Sequence, residues 1–234
     1  MRPDNGRAGL LDLSGLAAVL FDMDGTLVDS DASVRRAWAG WCDEYGVAAA
    51  TSDAFVRGSS AAESIGRIFP ELGAESLAER VARFLEFECA DVTDVGPMPG
   101  ALPLLAQLCA LRIPWAIVTS AERPLAALRL KAAGVVAETV VTLDDVAACK
   151  PDPEGYLVAA QALEVRISRC LVVEDSVPGV AAGRAAGATV ASVRGVASDL
   201  PLRDLFHLAE LLQAPVSRAE GIGSDPGRTD LAGG

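Results

Sequence analysis

Residues 16–26 read LAAVLFDMDGT, an apolar run that stops abruptly at two aspartates, a glycine and a threonine. Six consecutive apolar residues at 16–21 predict a strand buried on both faces, as the strands of parallel sheets are. The acidic turn follows at once, so Asp22 and Asp24 are expected at the carboxyl end of that strand, and alternation points both to the same side. In parallel α/β sheets, ligands bind at these strand ends.

Residues 96–100, GPMPG, predict a break between two segments that differ in their pattern of secondary structure, because Gly and Pro interrupt helices and strands. Before this break, apolar residues recur at helical spacing in three segments: 31–45, 64–69 and 77–89. After it, strands alternate with helices, the strands being predicted at 115–118, 140–141, 170–173 and 189–193, and the helices at 101–111, 124–133, 154–163 and 178–186. The alternation implies right-handed crossovers and an α/β fold with a doubly wound, Rossmann-like parallel sheet.

Composition limits the classes of partner. The chain has 234 residues, and its 32 acidic and 20 basic residues give a net charge of −12. An acidic chain without blocks of Lys or Arg repels polyanions, so we expect no nucleic-acid partner. A small phosphorylated metabolite is compatible with this charge, because a bound divalent cation reverses the sign of the local field.

The apolar runs and the cysteine spacing of the sequence indicate the cellular compartment. The sequence shows no apolar run of signal-peptide or membrane-span length, so we expect no membrane partner. Five scattered cysteines, an odd number without a C-x-x-C pair, argue against a disulfide framework and a zinc site: Cys42, Cys89, Cys109, Cys149 and Cys170. We therefore expect a cytoplasmic protein.

Chemically active side chains follow four predicted elements. They are Asp22 and Asp24, then Thr119 and Ser120, then Lys150, and finally Glu174 and Asp175. Together they offer a nucleophile, an acid, hydroxyl donors, a cation and metal ligands. Phosphate-monoester hydrolysis needs all of these, because it requires accelerations of up to about 10²¹.

Each group has a candidate role in that chemistry. Asp22 would attack phosphorus and form an aspartyl-phosphate, while Asp24 would protonate the leaving oxygen and then activate water. Mg²⁺ would be held by Asp22, Asp175 and the Asp24 backbone carbonyl, with Glu174 in or beside this set. Lys150 and the Thr119 hydroxyl would stabilise charge on the phosphoryl oxygens.

Simpler interpretations exist for each motif alone. The turn at Asp22 resembles the start of a calcium-binding loop, but Gly25 comes too early and Ser33 stands where the closing Glu belongs. The Thr119–Ser120 pair and the Glu174–Ser176 segment could cap helices, and Lys150 could be a solvated turn lysine. Their joint occurrence at strand ends favours one site. The single histidine, His207, is interpreted as structural.

These motifs resemble those of the haloacid dehalogenase superfamily, particularly its β-phosphoglucomutase-like branch with sugar-phosphate and glycerol-phosphate phosphatases. The matching segments are FDMDGTLVDS at 21–30, VTS at 118–120, KPDPE at 150–154 and VEDS at 173–176. The resemblance implies the same roles for Asp22, Asp24, Thr119, Lys150, Glu174 and Asp175. It also implies a helical cap domain at 29–96 on a catalytic core of 1–28 and 97–215; the Gly- and Ser-rich tail at 216–234 is predicted to be flexible.

Some positions depart from the family pattern. Mutases of this branch carry a His shortly after the first motif, where this chain has Val34, so hydrolysis is favoured over mutase chemistry. Related phosphatases carry an Arg just after the cap glycine, whereas Arg57 here precedes Gly58. Arg57 and Arg123 are therefore candidates for binding substrate oxygens. The other candidate substrate-binding residues are Thr119, Ser120 and Lys150. Cys149 replaces the usual glycine before the third-motif lysine.

The sequence thus predicts a Mg²⁺-dependent phosphatase acting on a small sugar or polyol phosphate, as a monomer or homodimer. A sugar phosphomutase remains the main alternative. A catalytically silent phosphate-binding module is a third interpretation. Haloacid dehalogenation is disfavoured, since Asp24, the second acid of the turn, is typically missing from enzymes with that activity.

Overall fold

The computed structural model describes residues 15–48 and 58–213. Eight short strands occur in this part of the chain: β1 Ala18–Phe21, β2 Val28–Asp29, β3 Gly96–Pro97, β4 Trp115–Val118, β5 Val140–Val141, β6 Cys170–Glu174, β7 Thr189–Ser192 and β8 Leu200–Pro201. Six of them form one sheet in the order β5-β4-β1-β6-β7-β8, and every pairing in it is parallel. The doubly wound α/β fold is confirmed.

Eight α-helices are present in the described residues: α1 Asp31–Tyr45, α2 Ala61–Ile68, α3 Ala74–Ala90, α4 Ala101–Ala110, α5 Arg123–Ala132, α6 Glu154–Ala162, α7 Val177–Ala186 and α8 Leu205–Gln213. Helices α4, α5 and α8 pack on one face of the sheet, and α6 and α7 pack on the other. The main sheet is therefore the middle of three layers.

Strand β1 is central to both cores. Val19 and Phe21 belong to the apolar cluster on one face, whereas Ala18 and Leu20 belong to the cluster on the other. All four side chains are fully buried. The alternation of a strand explains this division, and the uninterrupted apolar run explains why β1 can lie in the middle of the sheet.

Helices α1–α3 form a separate apolar cluster, and we call them the three-helix unit. Its centre includes Trp41, Ile65 and Phe84, and the Trp38 ring stacks on Phe84 with 3.7 Å between centroids. The segment that carries these helices starts and ends at an antiparallel pair, β2 and β3, in which Asp29 pairs with Gly96. This pair was not predicted, since two-residue strands have no readable periodicity.

Most predicted boundaries lie within three residues of those observed. Helix α2 begins earlier than expected because Ser60 caps it: the Ser60 Oγ accepts from the Glu63 N–H at 3.3 Å, and the Glu63 carboxylate accepts from the Ser60 N–H at 3.1 Å. Strand β8 was missed. In the described residues, no helix combines the length and apolar character needed to cross a bilayer. Arg57 and the tail at 216–234 lie outside the described residues.

Candidate active site

The predicted site residues converge where three neighbouring strands end. Asp22 follows β1, Thr119 follows β4, and Asp175 follows β6, the strands on either side of β1. The Asp22 N–H donates to the Val173 carbonyl at 2.9 Å, which continues the sheet register into the acidic turn. Parallel topology thus brings together groups that lie far apart in sequence.

Lys150 links two of these strand ends. Its Nζ donates to Asp22 Oδ1 at 2.6 Å, to Glu174 Oε1 at 2.7 Å and to the Val118 carbonyl at 3.0 Å. Burial disfavours the charged form of this lysine, but the two carboxylates outweigh it, so the pKa of Lys150 lies above its ordinary value. The ammonium group therefore stays charged at neutral pH and fixed in position.

Asp22 has one oxygen engaged and one available. Lys150 holds Oδ1, whereas the buried Oδ2 has no hydrogen-bond partner among the described residues. Burial raises the pKa of Asp22 well above its ordinary range; Lys150 opposes the shift, and the charges of Glu174 and Asp175 add to it. Buried polar atoms are rarely left unpaired, so Oδ2 is suited to bind something that this chain does not supply.

The carboxylates of Asp22, Glu174 and Asp175 fit a divalent cation. Each offers an oxygen, and these oxygens all lie within 4.8 Å of one another in buried positions. Hard oxygen donors with a net negative charge are the ligands that Mg²⁺ prefers. The Asp24 side chain lies outside this cluster, so the predicted contribution of Asp24 through its backbone carbonyl stays a prediction.

Glu174 is braced from several sides. The Tyr156 hydroxyl donates to its Oε1 at 2.7 Å, while Oε2 accepts from the backbone N–H of Asp175 and from the N–H and hydroxyl of Ser176. Gly179 approaches it so closely that a Cβ there would lie 1.8 Å from Oε1. These contacts fix the Glu174 carboxylate in one orientation next to Lys150.

Asp24 lies on the cavity side of the same turn. Its Oδ1 accepts from the Ser30 hydroxyl at 2.6 Å, and its Oδ2 accepts from Arg129 Nη1 at 3.0 Å. Arg129 is 3% exposed and donates through Nη2 to Glu88 in α3 at 2.8 Å. Asp22 and Asp24 therefore have different environments, although only one residue separates them.

A cavity of about 640 Å³ lies between the sheet edge and the three-helix unit. Asp22, Asp24, Thr119 and Ser120 line it from the core, and the three-helix unit contributes residues that include Val34, Trp38, Ser64 and Glu88. A space of this size accommodates a sugar-sized ligand.

The loop before α2 closes one side of the site. Ser120 Oγ donates to the Gly58 carbonyl at 3.1 Å, and a Cβ at Gly58 would lie 2.3 Å from Ser176 Oγ. The Cys149 thiol lies 3.7 Å from Ser60 Oγ. Cys149, which replaces the family glycine before Lys150, thus contacts Ser60, the N-cap residue of helix α2.

The remaining candidates are placed as follows. Thr119 lines the cavity, and its hydroxyl accepts from the Ala121 N–H at 3.1 Å. Arg123 lies outside the cavity lining, is half exposed and pairs with Asp145. Arg57 belongs to the residues that are not described. Thr119 is therefore near the candidate nucleophile, whereas Arg123 is not brought to it.

Arg129, Glu88 and Tyr156 were not predicted as site residues. The available signal was a charge on an apolar helix face: Arg129 lies one turn after Leu125 in α5, and Glu88 lies one turn after Phe84 in α3. A buried charge needs a partner, but the sequence does not say which element supplies it.

Glu88 gives a testable pH dependence of stability. Burial raises its pKa from 4.5 to about 7, although Arg129 opposes the shift. The folded chain holds a proton there that the unfolded chain releases, so this group makes stability fall as pH rises from about 4.5 to about 7. Glu88→Gln should remove that slope, so its free energy of unfolding relative to wild type should rise by up to about 3 kcal/mol across this window.

Urea unfolding of both proteins at about pH 5 and about pH 8 measures this change. Carboxyl groups far from Arg129 titrate equally in both proteins, so the difference reports Glu88 together with the groups coupled to it, Asp24 and Glu122. A difference in stability that does not vary with pH would contradict the expectation.

Comparison with known proteins agrees with this geometry. The haloacid dehalogenase-like hydrolase family matches residues 16–187. Hexitol phosphatase A of Escherichia coli is 39% identical over 80% of this chain and 87% of its own length. Validoxylamine A 7'-phosphate phosphatase of Streptomyces hygroscopicus subsp. limoneus is 35% identical over 72% of this chain and 81% of its own.

A solved hydrolase from Pseudomonas syringae superimposes with a TM-score of 0.74 and 28% identity, covering 84% of this chain and 97% of that one. The family match spans both β1 with its acidic turn and β6 with its acidic pair. The sequence match and the shared architecture together show that this chain belongs to the haloacid dehalogenase-like hydrolase family.

Proposed function

We propose that this chain is a Mg²⁺-dependent phosphatase that hydrolyses a sugar or polyol monophosphate through an aspartyl-phosphate on Asp22. The observation that carries the proposal is the unpaired Oδ2 of Asp22, buried beside Lys150 at the base of a sugar-sized cavity. Two relatives support the substrate class, since their names describe them as phosphatases of a hexitol and of a validoxylamine phosphate.

In the first half-reaction, Asp22 Oδ2 attacks phosphorus and forms a new P–O bond. The bond to the leaving group breaks, and its electron pair stays on the sugar oxygen, which takes a proton from the Asp24 carboxyl group. Lys150 holds the other oxygen of Asp22, so the attacking oxygen is presented in a fixed direction.

In the second half-reaction, the Asp24 carboxylate accepts a proton from water as the water oxygen attacks the phosphoryl group. The bond between phosphorus and Asp22 breaks, inorganic phosphate leaves, and both carboxyl groups return to their starting states. The Thr119 hydroxyl, which lines the same cavity, is placed to donate to a phosphoryl oxygen in both steps.

Asp22, Glu174 and Asp175 would hold Mg²⁺, with the Asp24 backbone carbonyl as a further ligand. When bound, the ion supplies positive charge that offsets the repulsion between these carboxylates and an anionic substrate. Arg194 contributes in the same sense, because its Nε lies 3.5 Å from Asp175 Oδ2.

We assign the three-helix unit as a cap domain at residues 29–96 on a core of 1–28 and 97–215. The β2–β3 pair is the point at which the chain leaves and re-enters the core, which makes it the natural hinge. Side chains of this unit line the cavity, so they would contact the leaving group and select it. All five cysteines are free thiols, which is compatible with the reducing cytoplasm.

A substrate panel with and without Mg²⁺ tests the proposal. The purified chain is incubated with 2-deoxyglucose 6-phosphate, a hexitol 6-phosphate, glycerol 1-phosphate and adenosine monophosphate, and released phosphate is measured. We expect turnover of the hexose and hexitol esters with kcat on the order of 1–10 s⁻¹, lost on adding a chelator and restored by excess Mg²⁺.

Two results would overturn the proposal. One is the absence of phosphate release from every ester in saturating Mg²⁺, which would favour the silent phosphate-binding alternative. The other is the appearance of an isomerised sugar phosphate faster than free phosphate, which would identify a mutase. Val34 lines the cavity at the position where mutases of this branch carry a His, so we expect hydrolysis.

A further inference from the structure

Arg129 lies between two carboxylates that belong to different parts of the molecule. From α5 of the core, its Nη1 donates to Asp24 Oδ2 at 3.0 Å, and its Nη2 donates to Glu88 Oε1 at 2.8 Å. Glu88 comes from α3 of the three-helix unit. Arg129 and Glu88 are buried, at 3% and 6% exposure, so water screens their ion pair weakly, whereas the Asp24 side chain is 26% exposed.

These contacts restrict the Asp24 carboxyl group. A carboxyl group can rotate about its Cβ–Cγ bond unless both of its oxygens are held. Ser30 donates to Oδ1 at 2.6 Å and Arg129 donates to Oδ2, so the plane of the carboxyl group is fixed from both sides. Ser30 directly precedes α1, the first helix of the three-helix unit.

We propose that Arg129 is a positioning residue for the acid/base Asp24, and that Glu88 makes this positioning depend on docking of the three-helix unit against the core. The inference rests on the proposed function, because it requires proton transfer by Asp24. When the unit moves away, Glu88 leaves Arg129, and the guanidinium no longer holds Asp24 in its working orientation. Acid/base chemistry is then assembled only over an enclosed substrate.

A direct role for Arg129 in substrate binding is the main alternative. Its two terminal nitrogens already donate to protein carboxylates, and its Nε is buried without a partner among the described residues. A phosphate ligand would have to displace Asp24 or Glu88 to reach the bidentate face of the guanidinium. The geometry therefore favours positioning over substrate binding.

Leaving-group dependence separates a positioning role from a structural one. Attack by Asp22 on an alkyl phosphate such as 2-deoxyglucose 6-phosphate needs protonation of the leaving oxygen, whereas p-nitrophenyl phosphate releases a stable phenolate without it. For each substrate, kcat/KM reports the step that phosphorylates Asp22. Damage to Asp24 positioning should therefore lower kcat/KM for the alkyl ester selectively.

For Arg129→Met we expect kcat/KM for 2-deoxyglucose 6-phosphate to fall on the order of 10²-fold and that for p-nitrophenyl phosphate to fall less than about threefold. Activation of water also depends on Asp24, so kcat for the aryl ester should fall and a pre-steady-state burst of p-nitrophenol should appear. Arg129→Lys should recover part of the lost alkyl-ester activity, since it restores a single donor.

Glu88→Gln tests the dependence on the three-helix unit. At about pH 8, where Glu88 is ionised, the same selective loss is expected at a smaller size, roughly tenfold, because the amide still accepts a hydrogen bond but lacks the charge. Adding Glu88→Gln to Arg129→Met should cause no further selective loss if Glu88 acts through Arg129. Arg83→Met is the matched control, since Arg83 also pairs with two carboxylates, Glu44 and Glu86, but on the surface.

Two outcomes separate this inference from the function it rests on. If the wild-type chain hydrolyses neither ester in Mg²⁺, the proposed function fails. If wild type is active but Arg129→Met lowers kcat/KM for both esters equally, without a burst, Arg129 is structural or binds substrate and the positioning inference is wrong. A melting temperature for each variant accompanies the kinetics, and failure of Arg129→Met to fold shifts both tests to Arg129→Lys and Glu88→Gln.

Discussion

Asp22→Asn should abolish turnover, lowering kcat by at least about 10⁴-fold while the chain stays folded and still binds substrate. An amide oxygen is a poor nucleophile, so phosphoryl transfer to residue 22 cannot start. The fold should survive, because the amide oxygen still accepts from Lys150 and the variant has one fewer buried carboxyl group with a raised pKa. The charge of Lys150 remains balanced by Glu174.

Phosphate release in saturating Mg²⁺ and rapid-quench detection of ³²P-labelled protein measure both halves of this expectation. Wild type should show transient label on the protein and the variant should show none. Asp94→Asn is the matched control, since Asp94 is an exposed aspartate that pairs with Arg36 on the surface, where such pairs contribute about 0–1 kcal/mol. A variant that keeps more than about 1% of wild-type turnover would exclude Asp22 as the nucleophile.

The groups at the strand ends could be predicted because they are encoded locally. A buried parallel strand is a short apolar run, and the reactive residue follows directly, as Asp22 follows β1 and Asp175 follows β6. The sheet topology then brings these residues together, since neighbouring parallel strands present their carboxyl ends at one edge. No knowledge of side-chain contacts is needed to bring Asp22, Thr119 and Glu174 together.

The residues that hold these groups in place, such as Arg129 and Glu88, could not be predicted in the same way. Arg129 and Glu88 meet across 41 residues of sequence, and Arg129 and Asp24 meet across 105. Their pairing depends on how the three-helix unit docks on α5, which periodicity within a single helix does not determine. The β2–β3 pair was missed for a related reason, because its two residues per strand are selected by the junction and not by a pattern.

Gly179 is not a catalytic residue, but its lack of a side chain is needed to keep Glu174 in place. It lies in the first turn of α7, whose cap is Ser176, and an Ala there would gain about 0.5–1 kcal/mol from helix propensity alone. The structure predicts instead that Gly179→Ala lowers the free energy of unfolding. A Cβ at this position would lie 1.8 Å from Glu174 Oε1 and 1.9 Å from Cδ, distances that no side chain tolerates.

Gly179→Ala should therefore destabilise the fold by about 3–5 kcal/mol, because Glu174 must leave its buried place beside Lys150. The displaced carboxylate loses its bonds to Lys150 and Tyr156, and the metal-binding set loses one oxygen donor. Phosphatase activity of any folded fraction should fall on the order of 10²-fold or more. Urea unfolding and phosphate release measure the two effects.

Gly66→Ala is the matched control, since Gly66 lies within α2 and a Cβ there would meet no atom within 4 Å. Helix propensity acts alone at that site, so we expect stabilisation by about 0.5–1 kcal/mol and unchanged activity. The same chemical change should thus raise stability at one glycine and lower it at the other. If Gly179→Ala were within about 1 kcal/mol of wild type, Glu174 would have room to move, and its fixed orientation beside Lys150 would not be a requirement of the site.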